Sequence, residues 1–211
     1  MKPEHLVVGI SGASGIAYGV RFVEVALRLG HHVHLLVSNS AWRVMQEECG
    51  LAGVGASSPL SAWLPGAPEE AHERVHRYHI GDIAARPASG TFKARAMVVV
   101  PCSMRTVAGL ATGNTDNLLL RCGDVFLKER RTLVLVPRET PLSLIHLRNM
   151  ATLSEAGAHI VPAMPGFYHS PKTIDDLLDF MAMKLFDLLG IEHGIPHAWQ
   201  GPRRERDNQP A

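Results

Sequence analysis

Four apolar runs, Val7 to Ile10, Val33 to Val37, Met97 to Val100 and Leu133 to Val136, each break abruptly into small or polar residues, and this recurrence constrains the chain more than any other feature. Short apolar runs without alternation suit strands buried on both faces, as in parallel sheets covered by helices. The stretches between them carry helical spacing. Tyr18, Phe22, Val25, Ala26 and Leu29 mark a first helix that Gly30 ends, and Ala41 to Glu48 a second. Val107 to Ala111 and Asn117 to Cys122 follow, with Asp116 as a cap, then Pro141 to Gly157. His159 to Val161 is a short last strand, and Thr173 with Asp176 opens a final amphipathic helix, Leu177 to Leu189. The pattern predicts a three-layer, Rossmann-like (flavodoxin-like) α/β fold, a doubly wound and mainly parallel sheet with helices on both faces. A single domain over residues 1–201 and a polar tail over 202–211 are expected.

The first break is the most informative. Gly9, Gly12 and Gly15 lie in Val7-Val-Gly-Ile-Ser-Gly-Ala-Ser-Gly15, where small residues let a ligand approach the main chain and a helix start offers free N–H groups. The spacing is G-x-x-G-x-x-G, whereas the dinucleotide fingerprint is G-x-G-x-x-G with an acid about 20 residues on. Here the second strand ends in Ser38. A Walker loop would continue into Lys-Ser/Thr, and this one continues into Ile16-Ala17-Tyr18. NAD and ATP are disfavoured, and a tight turn without a ligand is the competing reading.

With 21 basic and 20 acidic residues the formal net charge is +1, so neither nucleic acid nor another polyanion is an expected partner. Cys49, Cys102 and Cys122 form no C-x-x-C pair, which argues against a disulfide framework or thiolate zinc and fits a cytoplasmic protein. No signal segment is expected before the first strand, and no apolar run approaches the ~20 residues that cross a bilayer. Residues 50–73, rich in Gly, Ala, Ser and Pro, read as an irregular excursion that can vary without disturbing the sheet. Within it begins His72-Glu73-Arg74-Val75-His76, an H-E-x-x-H match that on a helix would set two zinc ligands on one face. No Glu occurs between residues 77 and 128 to complete such a site, and a solvated charged face is the preferred reading.

Six stretches in order, Gly9 to Gly15, Pro101-Cys-Ser-Met-Arg-Thr106, Leu127-Lys-Glu-Arg-Arg131, Val136-Pro-Arg-Glu-Thr-Pro141, Gly166-Phe-Tyr-His169 and Trp199-Gln-Gly201, resemble the UbiX/Pad family of flavin prenyltransferases, within the flavin-containing cysteine decarboxylase-like proteins. The resemblance covers nearly the whole chain. It implies an enzyme that joins the dimethylallyl group of dimethylallyl monophosphate to reduced FMN, without a metal, making the prenylated FMN used by UbiD-type decarboxylases. It also implies a homo-oligomer, a dodecamer in most of the family, with sites shared between neighbouring chains.

By the same resemblance, Gly12, Ala13, Ser14, Ser38, Ser103, Met104, Arg105, Thr106 and Arg138 contact FMN. Ser89, Gly90, Arg121, Lys128, Glu139, Tyr168 and Lys184 match prenyl-phosphate positions, and Ser14 and Glu48 match residues at the reacting flavin. The residue types suit the chemistry. A phosphate leaving an allylic carbon needs its growing charge stabilised, by Arg121 and Lys128, and finally a proton, from Glu139. Tyr168 adds an uncharged donor, and Trp199 an aromatic face for the cationic allyl group. Glu47 stands beside Glu48, and on a helix only one of them faces the site. Lys184 offers a point charge in place of an arginine fork. An FMN-dependent decarboxylase of the phosphopantothenoylcysteine type and a non-catalytic flavin carrier are the competing functions, and neither needs Lys128, Tyr168 and Lys184 beside a flavin.

Overall fold

The computed structural model describes residues 3–195. Trp199 and the expected tail at 202–211 lie outside them. The elements run β1 His5–Ile10, α1 Ile16–Arg28, β2 His32–Val37, α2 Asn39–Cys49, β3 Val75–Arg77, β4 Ala96–Cys102, α3 Met104–Ala111, α4 Leu118–Lys128, β5 Leu133–Pro137, α5 Leu144–Glu155, β6 His159–Ile160 and α6 Ile174–Leu189. All strand pairs are parallel, in the order β3-β2-β1-β4-β5-β6. This is the doubly wound α/β sheet expected from the sequence, with its reversal of strand order between β1 and β4.

Strand pleating sorts the apolar runs into two cores. Leu6, Val8, Ile10, Val33, Leu35, Val98 and Val134 face α1, α2 and α6, while Val7, Leu36, Met97, Val99, Leu133 and Leu135 face α3, α4 and α5. Phe22 of α1 stacks on Phe186 of α6 with ring centroids 4.7 Å apart, and Arg95 at the entry to β4 donates to the α6 carbonyl of Leu189 at 2.7 Å, closing that helix end. Among the described residues no helix is long and apolar enough to cross a membrane.

Four details differ from the sequence reading. The cap of α4 is Asn117, whose side chain accepts the Leu120 N–H, and not Asp116, because Asp116 is taken up by Asn114 and Asn117. Helix α3 starts at Met104, directly after its cap Ser103, and α5 starts only at Leu144, after Pro141 and its cap Ser143. The H-E-x-x-H stretch, for which a solvated charged face is the preferred reading, is not one helix: His72 lies within the 3-10 turn Glu69–Arg74 and His76 in β3, so the two imidazoles do not share a helical face. Finally, the excursion at 50–73 is built into the core. Trp63, Leu64 and Ala71 are buried, Trp63 meets Trp42 edge-on at 5.3 Å, and the buried carboxylate of Glu24 accepts the Gly66 N–H at 2.7 Å.

Candidate active site

The carboxyl ends of β1, β2, β4 and β5 bring four loops together. Ser38 and Ser103 end one strand each and cap the next helix, accepting N–H groups from Ala41 and Thr106. Their helices therefore direct two positive N-terminal ends at the crevice between β1 and β4. Gly12 lies so close to the chain after β2 that a Cβ on it would come within 2.4 Å of Ser40 Oγ. Ser40 also pairs with Ser38, Oγ to Oγ at 3.1 Å. The sequence reading passed over Ser40, although its signal was present in the Ser-x-Ser that opens α2.

Helix α1 lacks a capping side chain, since Gly15 occupies that position with φ of 94°. The carboxylate of Glu48 supplies the cap from α2. Its oxygens accept the Gly15 N–H at 2.9 and 3.1 Å and the Ile16 N–H at 3.1 Å, where a carboxylate also complements the helix dipole. This settles which of the paired glutamates faces the loop. On the other side, Arg138 Nε donates to the Ser14 carbonyl at 3.0 Å. The Ser14–Gly15 peptide is thus held from both sides, its carbonyl by Arg138 and its N–H by Glu48, while the Ser14 side chain is exposed. Glu139 is exposed next to Arg138, accepts the Thr140 N–H at 3.0 Å, and lines a recess of about 80 Å³ with Arg138, Leu142, Met150 and Met164. Met104 and Thr106 are buried under the third loop, and Arg105 is exposed above it.

The remaining expected residues lie elsewhere. Ser89 and Gly90 sit in the loop that leads to the amino end of β4, where Arg131 holds the carbonyls of Gly90 and Phe92. A Cβ on Gly90 would be 3.5 Å from Lys128 Nζ, and Lys128 pairs with Glu129 at 2.5 Å, which lowers the Glu129 carboxyl from its ordinary value. Arg121 lies seven residues before Lys128 on α4 and on the same helix face, paired with Asp124 at 3.3 Å. A cavity of about 670 Å³ opens at this amino edge, lined by Lys128, Arg130, Arg131, Glu155 and His159. Tyr168 packs edge-on against Phe180 of α6, with ring centroids 5.6 Å apart, and Lys184 is exposed on the same helix. The Gly12 to Ser14 loop and Lys128 are therefore separated by the length of the sheet, ~20 Å for a seven-residue strand such as β4. No side chain spans that.

Residues 1–186 match the family model described as Flavoprotein. A flavin prenyltransferase UbiX of Alkalihalophilus pseudofirmus is 48% identical over 194 residues, covering 92% of this chain and 95% of the relative. The chain belongs to the UbiX family of flavin prenyltransferases. Among solved UbiX structures, AnUbiX (PadA1) in complex with FMN and dimethylallyl pyrophosphate matches at TM-score 0.83 and 37% identity, covering 96% of this chain and all of that one. A dodecameric, FMN-dependent UbiX-like decarboxylase from Escherichia coli O157:H7 matches at TM-score 0.81 and 37% identity, over 93% of this chain and all of that one. In this UbiX-family chain the sheet carries two separate groups of residues, small and hydroxylic ones at its carboxyl edge and cations at its amino edge.

Proposed function

We propose that the protein is a metal-independent flavin prenyltransferase that joins a dimethylallyl group from dimethylallyl monophosphate to reduced FMN, its product serving a UbiD-type decarboxylase. The carboxyl-edge cradle fits FMN. Gly12 and Ala13 leave room for close approach, the capped starts of α2 and α3 with Ser38 and Ser103 suit an anionic phosphate, and Arg105 and Arg138 supply cations. When bound, the reduced flavin supplies the nucleophile for the allylic carbon. Glu48 and Arg138 orient Ser14 toward it, and Glu139, at the same edge, donates the proton that the departing phosphate needs.

The observation that carries this reading is the division of the residues between two edges. Lys128, Ser89 and Gly90 lie together at the amino edge, with Arg121 two turns earlier on the same face of α4, and we read them as a phosphate-binding group of which Lys128 cannot reach the chain's own flavin cradle. In a closed homo-oligomer, a dodecamer, the amino edge of one chain completes the carboxyl edge of a neighbour, and Tyr168 and Lys184 join them. Apolar side chains left in solvent support such an assembly. Leu144 and Ile145 on α5 are 60% and 69% exposed, and Phe167, beside Tyr168, is 70% exposed. Three free cysteines support a cytoplasmic location as part of this reading.

Mass analysis of the flavin after anaerobic incubation with reduced FMN tests the reading, with dimethylallyl monophosphate in one arm and the pyrophosphate in the other. A flavin heavier by one dimethylallyl group is the expected product of the monophosphate arm. Unchanged FMN in both arms, with release of carbon dioxide from a cysteine-type substrate, would identify a decarboxylase instead. Trp199, expected as an aromatic wall, lies outside the described residues and enters the proposal on the resemblance alone.

A further inference from the structure

We propose that Ser11 is a positioning residue for the flavin half of the site, a buried staple that holds the first and third ligand loops at a set distance across the switch point. The inference rests on the flavin reading above and adds a residue which that reading does not use. The β1–β4 ladder pairs Leu6 with Ala96 through Gly9 with Val99. Beyond it the two chains part to form the crevice, and Ser11 stands in the gap.

Ser11 is 1% exposed. Its N–H donates to the Pro101 carbonyl at 3.1 Å, its Oγ donates to the same carbonyl at 3.0 Å, and its Oγ accepts the Ser103 N–H at 2.7 Å. The hydroxyl is therefore used as donor and acceptor at once, and both bonds cross to the same loop. Each end of this staple leads directly into the ligand cradle. On one side the Ala13 N–H returns to the Ser11 carbonyl at 2.8 Å, closing the tight turn that displays Gly12. On the other, Ser103 caps α3 and pairs with Thr106, Oγ to Oγ1 at 3.1 Å. Buried as it is, Ser11 acts through Gly12 to Ser14 and Ser103 to Thr106.

Ser11→Ala removes the hydroxyl but keeps the main-chain bond to Pro101, so the strands stay paired while the Ser103 N–H loses its acceptor. Ser11→Cys keeps the shape with a weaker donor and acceptor. FMN affinity by fluorescence titration, and thermal unfolding with and without FMN, are measured for both variants and the unaltered protein. The expected result is an FMN Kd about tenfold higher for Ser11→Ala, an intermediate value for Ser11→Cys, and a smaller FMN-induced rise in unfolding temperature. If the alanine protein does not fold, the cysteine variant decides by the same two readouts. A Kd within twofold of the unaltered protein, with only the ligand-free unfolding temperature lowered, would make Ser11 purely structural and overturn the proposal. Failure of the unaltered protein to bind FMN would instead remove the flavin reading, and this inference with it.

Discussion

Ser38, Ser103 and Glu48 at the carboxyl edge direct their oxygens at main-chain N–H groups, whereas the amino edge of the same sheet carries stacked rings and outward cations. There, His5 and His32 stack at 4.7 Å, as do His34 and His76, and Phe92 meets His34 edge-on at 4.7 Å. His34 lies between His5 and Tyr78, with ring nitrogens 2.9 Å from His5 Nδ1 and from the Tyr78 hydroxyl. The difference follows from the direction of a parallel sheet. Every helix that follows a strand begins at the carboxyl edge, so free N–H groups gather there and favour anions. Helices end at the amino edge, where Lys128 in the last turn of α4 complements the opposite pole. One edge is suited to a flavin phosphate, and in the proposed assembly the other supplies cations to a neighbour.

Disabling one edge in one chain and the other edge in another tests this division most severely. Glu139→Gln keeps size and hydrogen bonding but removes the acid, so FMN should still bind while turnover falls roughly 100-fold or more. Lys128→Ala should fall by a similar factor. Co-expressed in one assembly, the two variants should recover up to about a quarter of full turnover, the random-mixing expectation for a site made by two chains. Activity in the mixed assembly no higher than in either variant would show that each chain uses its own residues.

Smaller losses are expected where a group acts on the cradle alone. Glu48→Gln removes the charge at the start of α1 and half of its paired acceptor, which should lower stability by ~1 kcal/mol in denaturant titration. FMN affinity should drop several-fold with it, because Ser14 is no longer gripped from that side. An unchanged affinity would mean that Arg138 alone sets the loop.

The amino edge should answer to pH. Burial first, then the neighbouring His76, His5, Arg86 and His32, push His34 down from 6.5 to about 3. Between those values the unfolded chain binds a proton that the folded chain does not. Stability should therefore hold above about pH 6.5 and fall as pH drops toward 3, by at most ~1.4 kcal/mol per pH unit for this one group. His34→Gln should flatten the slope of unfolding temperature against pH over that window. An unchanged slope would assign the acid sensitivity to other groups.

The sheet order was legible in outline, because buried strands must be apolar on both faces and helices must show a stripe, and both periods survive in the residue order. So was the box of Thr173 with Asp176, since caps act over three or four residues, whereas Ser38 and Ser103 are expected from sequence as flavin contacts and their capping emerges only with the structure. What only the tertiary structure decided are contacts between residues far apart in the chain. Glu48, not Glu47, caps α1 because α2 packs with that face toward Gly15. Val75 to Arg77 becomes a strand because β2 offers it an open edge, which overrides a helix-like motif. Trp63 is core because the excursion around it folds back on α1 and α2. Ser11 reads as one small residue among several in a glycine-rich loop, and its role exists only once Pro101 and Ser103 arrive beside it, 90 and 92 residues later. Local order specifies elements and caps, whereas a hydroxyl's partners are set by which distant loop shares its edge of the sheet.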